Sequence, residues 1–93
     1  MNKKLDLNRK KIAKLDDQIL KLAAQRMKIA KEIERIKRDS EDQKIIRKTV
    51  EDEKIEQYRT AAKRLGVNPN FAQALLYLLI SESTREQVNQ RQR

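Results

Sequence analysis

The apolar residues of the first forty positions follow one helical pattern. Leu5, Ile12, Leu15, Ile19, Leu22, Ile29, Ile33 and Ile36 fall on the a and d positions of a heptad, and Asn8 and Arg26 interrupt the seam. Beside the seam runs a row of Arg9, Asp16, Ala23, Ala30 and Lys37, with Ala13, Leu20 and Met27 on another flank. At ~100° per residue these rows make an apolar arc of ~160°. The pattern predicts a helix over about 5–38, with Lys14, Lys21, Lys28, Lys31 and Arg35 on its solvated face.

Two further helices are predicted, over about 48–65 and 69–90. The second carries Ile55, Tyr58, Ala62 and Leu65 as a stripe, extended upstream by Glu51. The third carries Ala72, Leu75, Leu76 and Leu79, and its stripe runs on through Ser83 and Gln87. Between them, Leu65-Gly66-Val67-Asn68-Pro69 reads as a stop and a restart. Gly66 suits the left-handed closing residue, Asn68 a cap, and Pro69 a first turn that needs no amide donor. A softer break falls over 39–48, where the periodicity lapses. One domain over 1–93 is expected, all-α, with one long helix and two shorter ones.

Length bears on assembly. The first helix would span roughly 50 Å, whereas a compact chain of this size has a radius of gyration of only ~12 Å. The shorter helices, at roughly 27 and 33 Å, cover it incompletely. The first helix is therefore expected to pack against a second copy of itself.

Composition narrows the chemistry. The chain has 93 residues, with no Cys and no His. Disulfides, thiol nucleophiles, His-based triads and His metal sites are thereby excluded, and no cofactor is expected. With 23 Lys and Arg against 14 acids the net charge is +9, which favours an anionic partner without choosing one. The longest apolar segment, 71–80, is about half of a ~20-residue membrane span. The opening MNKKLDLNRKK lacks the apolar run of a signal peptide. A cytoplasmic protein with neither a membrane nor a nucleic acid as partner is expected.

Arg9, Arg26 and Lys37 lie inside the apolar arc. Lysine and arginine are rarely fully buried without a partner. Two readings follow. The cations snorkel at interface edges or pair with Asp16 and Glu32, or an anionic ligand supplies the missing charge. Arg26 and Lys37 are roughly 16 Å apart along the helix, near enough for long side chains to meet one small molecule. Arg9 lies roughly 25 Å from Arg26 and cannot join them from the same helix. It can do so from an antiparallel partner helix whose pairing centres near Ile19 and Leu20. For Ser83 and Gln87 the plainer alternative is an ordinary fraying helix end, and for Glu51 a favourable first-turn acid.

The segments LNRKKIAKLDDQILKLAAQR (7–26), IAKEIERIK (29–37), GVNP (66–69) and LLISESTREQ (78–87) together resemble the all-helical class of chorismate mutases. The resemblance covers nearly the whole chain. It implies an intertwined homodimer of three-helix chains with two active sites for the dicarboxylate chorismate, rearranged to prephenate in aromatic amino-acid biosynthesis. It further implies that Arg26 binds one substrate carboxylate and that Arg9 reaches across to the other from the partner chain. Lys37 would contact a carboxylate and the ether oxygen, to which Gln87 would donate. Glu51 would accept from the ring hydroxyl, and Ser83 would assist carboxylate binding. Asp16 would be structural.

The chain departs from the family pattern at the start of the second helix. The usual Arg before the Glu is Val50, and the acid often found three positions earlier is Arg47, which is an alternative source of the missing charge. Three alternatives stand beside the mutase reading. An isochorismate pyruvate lyase uses a similar scaffold, a basic helical dimer could bind nucleic acid, and an inactive dimer could serve assembly.

Overall fold

The structure, a computed structural model, describes residues 2–39 and 48–91. Three helices are present among them: α1 (Lys3–Arg38), α2 (Lys48–Leu65) and α3 (Pro69–Arg91). Helix α1 begins two residues earlier than the apolar pattern suggests, because the Asn2 side chain accepts the Leu5 amide at 3.2 Å and caps the first turn.

The turn between α2 and α3 forms as its residues predict. Gly66 has φ +74°, its amide donates to the Lys63 carbonyl, and the Val67 amide reaches Ala62 at 2.8 Å. This paired closure satisfies two carbonyls that the helix end would leave open. The Asn68 side chain then accepts the Asn70 amide at 2.8 Å. A Cβ on Gly66 would meet nothing within 4 Å, so Gly66→Ala pays only for the backbone conformation. A loss of about 1–2 kcal/mol in thermal or urea denaturation is expected.

The α2–α3 pair is an antiparallel hairpin. Ala62, Ala72 and Leu76 are buried along it, and Ile55, Tyr58 and Leu75 are half-buried. On its outer flank Arg59 Nη1 donates to Asn70 Oδ1 at 3.0 Å and Gln73 Oε1 at 2.7 Å. Arg59→Ala should destabilise the hairpin by about 1–2 kcal/mol, with no effect on ligand affinity; a denaturant titration read beside a binding curve checks both.

Helix α3 also packs on the second half of α1 and runs parallel to it, while α1 and α2 do not touch backbone to backbone among the described residues. A cleft between α1 and α2, floored by α3, is the result. Only the flank of α1 that carries Ala23, Arg26, Met27, Ala30, Glu34 and Lys37 is covered. The heptad seam stays open: Leu15 is 55% exposed and Ile29 62%. The first twenty residues of α1 project past the hairpin without cover. The molecule measures 60 × 29 × 15 Å, with a radius of gyration of 17.1 Å, well beyond the ~12 Å of a compact chain.

Candidate active site

The cleft holds a pocket of about 400 Å³. Arg26 enters it from α1, Lys54, Gln57, Tyr58 and Ala61 from α2, and Leu76 and Leu79 form the floor from α3. That size and mixture of apolar walls with few polar groups suit a small organic ligand.

Arg26 is held in place by α3. Its Nη1 donates to Ser83 Oγ at 2.7 Å and to the Leu79 carbonyl at 3.1 Å, and Ser83 Oγ donates to the same carbonyl at 3.0 Å. Both Arg26 bonds leave from one nitrogen. The Nε and Nη2 edge makes no hydrogen bond, and no carboxylate lies within ion-pair distance, among the described residues. A guanidinium anchored at one corner in this way presents a planar pair of donors that matches a carboxylate.

Ser83 and Gln87 are each only 8% exposed. A fraying helix end would leave them in water, so that alternative fails. Gln87 Nε2 donates to the Ala30 carbonyl at 3.4 Å, a long bond that a better acceptor displaces easily. Lys37 is half-buried on the same flank of α1. Arg26, Ser83 and Gln87 thus meet at the interface between α1 and α3, with Lys37 further along the same flank of α1; of these four only Arg26 lines the cleft pocket.

Glu51 lies elsewhere. It lines a separate pocket of about 450 Å³ with Tyr77, Ile80, Ser81, Thr84 and Arg85, and shares no wall residue with the Arg26 pocket. Arg9 and Asp16 are exposed on the projecting half of α1. Arg47 falls outside the described residues.

Two side chains escaped the sequence reading. Glu34 is completely buried, and its carboxylate lies 3.8 Å from Arg38 Nε. It brings a negative charge within one turn of Lys37, so Asp16 is not the sole acid on the cation-bearing arc. The row Ala13, Leu20, Met27 reaches Glu34 at its next step of seven, which was the available signal. Lys54 is the other. It looks like a solvated helix charge in sequence, yet it lines the pocket beside Arg26.

The carboxylates drawn below their usual range lie on the surface. Arg35 does this to Glu32 and Arg85 to Glu82, in both cases chiefly through a direct hydrogen bond. No cluster of acidic side chains among the described residues is spaced to hold a metal ion. No helix among them is long and apolar enough to cross a membrane.

An all-helical scaffold with an arginine anchored at a small pocket is an arrangement chemically suited to a small anion. The family model described as chorismate mutase type II matches residues 8–88, and the chain belongs to that family. No individual curated protein and no solved structure matched it.

Proposed function

We propose that the protein is an isomerase that rearranges chorismate to prephenate, working as a homodimer with the substrate held in the cleft between α1 and α2, on the floor that α3 provides. Family membership supports the activity broadly. The observation that carries the reading is Arg26, fixed by Ser83 and the Leu79 carbonyl at the pocket with its carboxylate-matching edge unbonded.

The reaction is intramolecular: one carbon–oxygen bond breaks as one carbon–carbon bond forms. It needs no nucleophile and no proton transfer, so a chain without His or Cys suffices. Its site must hold the extended dicarboxylate in a folded shape and meet the ether oxygen as it gains negative charge. Arg26 grips one carboxylate. Lys37 and Gln87 donate to the ether oxygen, Gln87 after leaving the Ala30 carbonyl. The ring-hydroxyl role of Glu51 requires its carboxylate to leave the pocket it now lines. An acceleration of about a million-fold corresponds to about 8 kcal/mol. One well-placed donor is worth about 3–4 kcal/mol, so two donors and a restricted conformer are sufficient.

The uncovered seam of α1 supports the dimer. Exposed apolar faces of this length on a soluble helix mark an interaction surface. An antiparallel second copy would cover it and bring Arg9 of each chain to the other chain's site. Purified protein incubated with chorismate should consume it and form prephenate. Turnover of isochorismate to salicylate and pyruvate, with none of chorismate, would replace this reading with the lyase.

A further inference from the structure

The geometry points to Lys54 as a further carboxylate-binding cation of the site, beside Arg26 and the Arg9 of a second copy, and this rests on the chorismate mutase reading. Arg26 and Lys54 enter the same 400 Å³ pocket from opposite walls, one from α1 and one from α2. No acidic residue lines that pocket. Among the described residues Lys54 makes no ion pair, and neither does Arg26, so two positive charges face one cavity without a protein counter-ion. Arg26 is half-buried and Lys54 exposed, so an anion between them would pair with a partly covered guanidinium on one side and an ammonium free to swing in from the other. A ligand with two carboxylates answers that arrangement better than one with a single charge.

Register explains why α2 offers a cation here. Helix α2 lies on α3 through Ile55, Tyr58 and Ala62, and Lys54 stands on the flank turned toward α1, opposite the flank where Arg59 holds Asn70 and Gln73. Position 50 lies one turn before Lys54 on the same face. The positive charge that the family pattern places at 50 is therefore delivered from 54. A flexible lysine stem spans the added turn, since its four carbons let the ammonium swing several ångströms.

The test compares wild type with Lys54→Gln and Lys54→Arg, reading chorismate kinetics and, separately, equilibrium binding of prephenate, a dicarboxylate that the enzyme does not consume. Lys54→Gln should raise KM and the prephenate Kd about 30-fold with kcat within a few-fold, and Lys54→Arg should stay near wild type. Binding of 4-hydroxybenzoate, with one carboxylate, should weaken less than that of prephenate. Because Lys54 is exposed and makes no hydrogen bond among the described residues, its variants should keep the wild-type melting temperature. Chorismate turnover with Lys54→Gln unchanged in KM and Kd overturns the inference and leaves the mutase reading intact. Prephenate binding weakened by Lys54→Gln, in a wild type that turns over no chorismate, keeps the two-cation site and overturns the reaction.

Discussion

Replacing Arg26 by Ala is expected to lower kcat/KM for chorismate by about a hundred- to several-thousand-fold while leaving the helices folded. Losing one partner of a desolvated, charge-assisted contact typically costs about 3–5 kcal/mol, and each 1.36 kcal/mol is tenfold in rate. The fold should survive because Ser83 Oγ keeps its bond to the Leu79 carbonyl when the guanidinium goes. Arg26→Lys restores the charge but not the planar fork, and should recover only part of the loss. Steady-state kinetics with circular dichroism checks both. Near-normal turnover in Arg26→Ala would remove the anchor on which the site is built.

The second large effect concerns the seam. Ile19 is 58% exposed in the single chain and stands where an antiparallel pair of α1 helices would cross. In such a pair Ile19→Asp would bring two carboxylates together in a buried apolar contact. Burial and like-charge repulsion each cost several kcal/mol, and symmetry applies the substitution twice. The variant should sediment as a monomer and lose chorismate turnover by at least about a hundred-fold at micromolar concentration. An active monomer would show that one chain builds the whole site.

Much of this architecture was legible in the sequence, and for identifiable reasons. Helices are written in a short-range code: the three-and-four spacing of Leu and Ile, the capping oxygens, and one glycine that takes positive φ. Hence α2 and α3 meet at Gly66 as expected. Which flank of α1 α3 covers was not legible. Seam residues and flank residues look equally apolar, and only the packing of α3 selects the face of Ala23, Ala30 and Glu34. On the proposed dimer reading, the open seam is the face that a second copy would cover.

The candidate site was legible where residues interrupt an apolar row: Arg26, Ser83 and Gln87 do so, and the structure brings these three together. Glu34 was missed because an acid among Lys and Arg reads as part of a charged surface. Lys54 was missed because it breaks no stripe: it lies beside the α2 core face, and only the position of α1 across the cleft gives it a role. Glu51 shows the reverse case, a residue on the expected stripe whose side chain lines another cavity.

A mixing experiment tests the shared site most directly. Arg9→Ala and Arg26→Ala chains, each inactive alone, are unfolded together in equal amounts and refolded. Half of the dimers are then mixed, and each mixed dimer has one site with both arginines intact and one with neither. About a quarter of wild-type specific activity should return. If Arg9 serves its own chain, every site in the mixture lacks one arginine, and the activity stays at the level of the separate variants.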